Sequence, residues 1–342
     1  MTLPRFFLFF GLTLVILTVF SSTSRAQSTN GIALGAYYYL GSGMNAPGDM
    51  AAVNAWRSQV GRLPSVWSIY QGWTGWNQFP IAQAQRAQKL GGRLMVTWEP
   101  WSGSVRDSNW SCRKVANGGY DAYIRQYARA VKQSGAPVMI RLAHEMNGDW
   151  YPWGTAYVSY DGRNNGNSPA DYVKMWQRVV RIFRVEGATN ANWVWAPNIV
   201  YQTTFNSYER QRADLEALYP GDEWVDWVGL SVYNDGARRP WRSFSQLFDG
   251  SYRIVAGLTD KPMMVAELGV TEQGAPNGRS KAQWIASAFL QEIPRRYPRV
   301  EMVNYFFRDK TNMGESNFRF DSSPEALAAF RRVVASPLYG GR

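Results

Sequence analysis

One cysteine and one histidine in 342 residues close off several chemistries before any motif is read. Cys112 has no second thiol, so an intramolecular disulfide is impossible and a dithiol or cysteine-ligated metal centre finds no support. His144 leads into Glu145-Met146-Asn147-Gly148 and lacks the second histidine of H-E-x-x-H, which excludes that zinc-protease motif. A metal would need an all-oxygen shell, and no Asp/Glu cluster suggests one; neither a metal nor another cofactor is expected. The G-x-G-x-x-G turn of a dinucleotide-binding sheet and the G-x-S-x-G of a serine hydrolase are both missing. Missing too is any apolar run of the roughly 20 residues needed to span a bilayer. The formal charge is +11, yet the cationic residues occur only in short blocks such as Arg238-Arg239 and Arg295-Arg296. Nucleic acid favours a concentrated basic patch, so it is not an expected partner. Anionic cell-envelope or extracellular polymer suits the excess better, and a solvated surface with no partner suits it equally.

The first residues read as an export signal. Arg5 precedes an uncharged run from Phe6 to Phe20, and Ser24 and Ala26 stand three and one positions before a cut ahead of Gln27. That apolar run is too short for a spanning helix, so cleavage is expected, with no stable membrane insertion afterwards and a secreted or periplasmic protein. Losing Arg5 and Arg25 lowers the charge of +11 by two, to +9. Residues 1–26 are thus assigned to the signal and 27–342 to one large domain, because no Ser-, Pro- or Gly-rich linker divides them.

What the chain has in quantity is aromatic side chains: 16 Trp, 19 Tyr and 16 Phe, 15% of all residues. Flat aromatic faces pack against the C–H faces of pyranose rings, so the composition suggests carbohydrate, although many rings must fill the core. Short β-rich runs alternate with helical ones. The runs are 32–39, 66–70, 93–98, 138–143, 193–196, 227–232, 262–266 and 300–306. Helical spacing follows over 49–60, 81–90, 120–134, 170–185, 206–218, 243–256, 281–293 and 323–334. Several helices open with cap signals, as at Ser168-Pro169 and Ser323-Pro324. Eight such units imply parallel strands joined by right-handed crossovers, and hence a single closed (β/α)₈ barrel.

Barrel chemistry sits at the C-terminal ends of the strands. Strand three ends in Thr97-Trp98-Glu99-Pro100-Trp101, strand four in Arg141-Leu142-Ala143-His144-Glu145, strand six in Tyr233-Asn234, and strand seven in Ala266-Glu267-Leu268-Gly269. Glycoside hydrolysis needs two carboxyl groups flanking the bond, and Glu145 and Glu267 come from strands whose mouths face one another. Their competing role is as ion-pair partners stabilising the barrel mouth. Arg141 and Ala143 share one strand face, with Glu145 if the extended geometry continues. A nearby guanidinium would keep the nucleophile ionised, while burial would keep the acid protonated.

The segment Arg141-Leu142-Ala143-His144-Glu145-Met146-Asn147-Gly148-Asp149-Trp150 resembles the acid/base segment of glycoside hydrolase family 26, a family of β-mannanases and mixed-linkage β-glucanases on (β/α)₈ barrels. The resemblance implies a retaining endo-β-glycanase acting on β-1,4 linkages, with Glu145 as acid/base and Glu267 as nucleophile. It further implies substrate-binding or supporting roles for Arg141, His144, Trp150 and Tyr233. Trp98 and Glu99 are added from the end of strand three. Among the sugar-platform candidates Trp73, Trp76, Trp98, Trp101, Trp150 and Trp153, those singled out are Trp98 and Trp150. The expected partner is a polysaccharide (mannan, glucomannan or mixed-linkage β-glucan) and the expected working unit a monomer. Strand one reads Gly35-Ala36-Tyr37-Tyr38-Tyr39, without the histidine segment of many mannanases, and strand eight reads Asn304-Tyr305-Phe306-Phe307 where they carry Trp. An enzyme processing the producer's own exopolysaccharide, and a non-catalytic polysaccharide-binding barrel, remain the alternatives.

Overall fold

The computed structural model describes residues 31–41, 43–104, 107–155, 166–200 and 207–341. The export signal and its cleavage point lie outside these residues. Eight strands run β1 (Ala33–Gly41), β2 (Val66–Gly72), β3 (Arg93–Glu99), β4 (Val138–Leu142), β5 (Ala191–Trp195), β6 (Trp227–Asn234), β7 (Met263–Val270) and β8 (Val300–Phe307). Each is parallel to the next, and β1 pairs with β8 through Leu34 opposite Val303, which closes the barrel. The helices between them are α1 (Met50–Val60), α2 (Ile81–Lys89), α3 (Asp121–Ser134), α4 (Pro169–Glu186), α5 (Tyr208–Leu218), α6 (Phe244–Leu258), α7 (Lys281–Ser287) and α8 (Pro324–Ala335). The expected (β/α)₈ architecture is the one observed.

Helix starts follow the capping chemistry. Ser168 and Asp171 form a reciprocal capping box ahead of α4, with Pro169 at its first position, and Ser243 with Gln246 does the same for α6. Four details differ from the sequence expectation. A two-residue strand, Met44–Asn45, pairs antiparallel with β1, and a short helix, Cys112–Ala116, precedes α3. The stretch after α7 passes through a π turn, Ala288–Glu292, before Ile293–Arg296 resumes the α form. Helix α5 starts at Tyr208 with Ser207 as its cap, while Asn206 lies outside the described residues.

Strand periodicity sorts side chains into two populations. Val66, Met95, Met139, Val194, Met264 and Met302 point inward and form an apolar plug in the barrel. Their neighbours, such as Trp67, Val96, Ile140 and Trp195, point outward against the helices and belong to the main core. Above the plug the inward positions turn polar, with Ser68, Thr97, Arg141, Ser231 and Asn304 all buried. Stacked interior layers of this kind fill a barrel and leave its C-terminal mouth for chemistry. Gly35 on β1 belongs to this packing, because a Cβ there would come within 2.7 Å of the Asn304 side-chain oxygen. Asn304 itself accepts from the Ser68 hydroxyl at 2.8 Å and donates to the Ala266 carbonyl at 3.1 Å.

Candidate active site

The β4 strand ends one residue earlier than the sequence suggested, at Leu142. Ala143 and Glu145 then take left-handed backbone conformations, with φ of 41° and 52°. So the extended geometry does not carry Glu145 to the mouth; a tight turn does. Left-handed non-glycine residues are sparsely populated and persist where surrounding bonds hold them. Here the Ala143 amide donates to the Trp98 carbonyl at 3.0 Å and the Glu145 amide to the Ala196 carbonyl at 2.8 Å. The Trp153 indole donates to the His144 carbonyl at 2.7 Å. Glu145 is thereby pinned to β3, β5 and the following loop at once.

Glu267 arrives by a different device. Leu230 faces Val265 and Ser231 faces Glu267, so one extra residue, Ala266, sits in β7. The bulge makes Ala266 and Glu267 both face the interior, whereas strict alternation would have sent Glu267 toward the helices beside Val265. The fully buried Arg141 bonds Glu267 through Nη1 and Ser231 Oγ through Nη2, the latter at 2.7 Å. The Tyr233 hydroxyl donates to the other Glu267 oxygen. Glu145 accepts from the Trp150 indole at 2.8 Å. His144 Nε2 lies 3.1 Å from the Tyr151 hydroxyl and 3.8 Å from Glu267, and its Nδ1 lies 4.0 Å from Glu99.

These environments push the two central carboxyls apart. Burial alone would raise Glu267, but the Arg141 guanidinium beside it, with the Tyr233 and Tyr70 hydroxyls, outweighs burial and holds its pKa at about 2. Glu145 is raised, first by burial and then by the negative charge of Glu267. Burial and the Arg141 charge hold His144 well below the usual imidazole range, so it is neutral. Glu99 is pushed up to about 8 by burial and by Glu267.

The raised Glu99 pKa has a stability consequence. The unfolded carboxyl ionises near 4.5, so the fold loses stability as pH climbs from 4.5 to about 8, and the loss is constant above that. Glu99→Gln keeps a neutral shape and should raise Tm by roughly 2–5 °C near pH 9 while changing it little near pH 4. Equal shifts at both pH values, read by thermal unfolding, would contradict the assignment.

The mouth opens into a cleft of ≈ 820 Å³ lined by Glu99, Trp101, Glu145, Trp150, Tyr233 and Glu267 among others. Trp150 is 40% exposed there. Trp98 corrects the sequence expectation: it is fully buried on the outer face of β3, stacked on Tyr127 at 4.1 Å and packed on Trp73 at 4.6 Å. Strand parity is the reason, since Thr97 and Glu99 take the interior positions on either side. Trp73 and Trp153 are likewise fully buried, and the Trp76 side chain lies outside the described residues. Trp98→Ala is therefore expected to cost about 3–5 kcal/mol in urea unfolding, as a large core truncation. A variant that unfolds like the parent yet binds polymer poorly would return Trp98 to the cleft.

Several site residues were not singled out from sequence. Ser231 stands two before Tyr233 on the same inward face, and that parity was the available signal. Tyr70, at the end of β2, hydrogen bonds Glu267 and had the same signal. The Asn147 side-chain amide donates to the Asn198 carbonyl and accepts from the Asn198 amide, each at 2.9 Å, tying the loops after β4 and β5 together; nothing local announces that pair. Among the described residues, the His/Cys/Asp/Glu group whose ligand atoms converge is His144, Glu145 and Glu267, within 4.8 Å of one another. Both Glu267 oxygens already accept from Arg141 and Tyr233, so a cation would have to displace a buried guanidinium.

Comparison with known proteins finds relatives along most of the chain. Over 326 residues the chain is 31% identical to Endoglucanase H of Acetivibrio thermocellus, a match covering 94% of this chain and 32% of that one. It is 29% identical over 171 residues to a mannan endo-1,4-beta-mannosidase of Caldalkalibacillus mannanilyticus, covering 50% of this chain and 28% of that one. The chain thus spans about a third of the length of the curated relatives it matches. A modular endo-beta-1,4-mannanase from Cellulomonas fimi shares the fold with a TM-score of 0.66 at 22% identity, covering 90% of this chain and 71% of that one. The sequence profile of glycosyl hydrolase family 26 matches residues 59–314, three quarters of the chain, and the chain belongs to that family.

Proposed function

We propose that this chain is a retaining endo-β-1,4-glycanase that hydrolyses mannan, glucomannan or mixed-linkage β-glucan by double displacement. The observation that carries this reading is the pair Glu145 and Glu267, with carboxylate oxygens within 4.8 Å of one another and pKa values driven in opposite directions. Retaining enzymes hold their carboxyl groups about 5–5.5 Å apart, and inverting ones about 6.5–9.5 Å. Glu267, kept ionised by Arg141, attacks the anomeric carbon as the glycosidic C–O bond breaks. Glu145, kept protonated by burial, gives its proton to the departing oxygen. Ionised Glu145 then takes a proton from water, whose oxygen displaces Glu267 and returns both groups to their starting states.

The remaining candidates take supporting roles. Arg141 and Tyr233 orient Glu267, and the neutral His144 holds a position beside it. Trp150 orients Glu145 through its indole N–H and offers its ring to a sugar. Glu99, protonated at neutral pH, is suited to donate to a sugar hydroxyl. Trp101 lines the cleft and replaces Trp98 as the second platform. The longer resemblance is to a protein named endoglucanase, which favours a glucan-containing substrate. Among the described residues no helix is long and apolar enough to cross a membrane. Residues 1–26 are proposed as a cleaved export signal and 27–342 as the catalytic domain, working as a secreted or periplasmic monomer.

The test is turnover of galactomannan, glucomannan, barley β-glucan and xylan side by side, with product configuration followed by proton NMR before mutarotation. Release of β-anomeric oligosaccharides from a glucan or mannan is expected. α-Anomeric products, or no release from any polymer, would overturn the reading.

A further inference from the structure

The wall of the cleft that flanks Glu267 is cationic in a way that a neutral glycan does not require. Four cations line it, from two loops: Arg238 and Arg239 follow β6, and Arg308 and Lys310 follow β8. The acids that the same loops contribute to the cleft lining are Asp235 and Glu315, and Arg238 also donates to the Gly314 carbonyl. Lys310 is paired with Glu315. Asp235 accepts from the Ser316 hydroxyl at 2.7 Å and stands 3.9 Å from Arg238 Nε. Among the described residues no carboxylate lies within ion-pair distance of Arg308, which is stacked on the Tyr39 ring at 4.9 Å and reaches Met313 Sδ at 3.5 Å.

We propose that this wall is a subsite for an anionic sugar, so that the preferred substrate is a β-glycan bearing carboxylates, such as uronic acid residues or acidic substituents. This deepens the proposed function by naming the class of glycan that its cleft takes. The argument is one of charge and place. An arginine held on an aromatic face still has guanidinium N–H groups to offer a carboxylate, and the other partners of Arg308 are neutral, the Tyr37 hydroxyl and the Met313 sulfur. A cationic cleft with low-dielectric walls also concentrates an anionic polymer and steers it inward. The wall stands apart from the Arg141–Glu267 pair, whose charge is spent on orienting the nucleophile. The net positive charge of the whole chain acts in the same direction at longer range.

Three forms of one polymer test the inference: glucomannan, glucomannan oxidised at C6 to the uronate, and the methyl ester of that uronate, which has the same shape without the charge. Binding is measured in affinity gels with the full-length chain carrying Glu267→Ala, so that the reading does not depend on turnover. The acid form is expected to bind roughly tenfold more tightly than the ester, and added salt should erase the difference. Adding Arg308→Gln, or separately Arg238→Gln, should lower the acid-to-ester ratio severalfold; circular dichroism confirms that each variant is folded. Binding that does not distinguish acid from ester, or fails for both, overturns the inference. So does a preference that survives both substitutions unchanged. Failure of the wild-type protein to cleave any polymer would count against the proposed function instead, because the binding ratio is read independently.

Discussion

Glu267→Ala is expected to lower kcat on polymer by roughly 10⁴–10⁶-fold while leaving polymer binding largely intact. Under the proposed mechanism the substitution removes the atom that forms the covalent bond, and no neighbouring carboxylate is placed to replace it. The Glu145 pKa is raised by burial and by Glu267, and that of Glu99 is pushed up to about 8. The binding surface is untouched, because Trp101 and Trp150 stand on loops that Glu267 does not hold. The loss leaves a small cavity facing the anomeric carbon and lined by the Arg141 guanidinium, a place where azide or formate fits. Such an anion should restore part of the activity on a substrate with a good leaving group, giving an α-glycosyl product. Substantial residual turnover without added anion, measured over a long incubation with purified protein, would move the nucleophile elsewhere.

Arg141→Met carries the second large effect and touches fold and chemistry together. Arg141 is completely buried and divides its guanidinium between Glu267 and Ser231. Removing one partner of a buried ion pair strands the other charge and costs about 3–5 kcal/mol. The sign of the pH effect follows from the same pair. Glu267 is held at about 2, below its ordinary 4.5, so its contribution to stability is full above 4.5 and is lost as pH falls through 2. Without the guanidinium, burial dominates and the carboxyl pKa climbs, so the acid limb of kcat/KM should move to higher pH. Arg141→Lys keeps the charge but cannot span both oxygens, and should recover only part of each effect. Lower stability with an unmoved acid limb would reduce Arg141 to a structural role.

The two carboxylates were legible from sequence because both directly follow apolar strand runs, and barrel mouths collect such residues. The means by which they face each other was not. Glu145 depends on a left-handed turn in a stretch without glycine, and Glu267 on an inserted residue in β7; neither has a local sequence mark. Both departures from regular geometry fall at the site, where surrounding hydrogen bonds stabilise them. Trp98 shows the opposite case. Alternation along β3 already placed it with the outward set, and aromatic richness near the mouth was the misleading cue. The helix rhythm was legible to within a few residues through its caps, whereas the π turn at Ala288–Glu292 has no propensity signal.

Trapping the glycosyl-enzyme tests the central claim most directly. The wild-type protein is incubated with an activated 2-deoxy-2-fluoro β-glucoside or β-mannoside oligomer, digested with pepsin and mapped by mass spectrometry. A single adduct on the peptide carrying Ala266-Glu267-Leu268, at Glu267, is the predicted result. An adduct on Glu145 or Glu99 would contradict it, as would turnover that yields inverted products with no adduct at all.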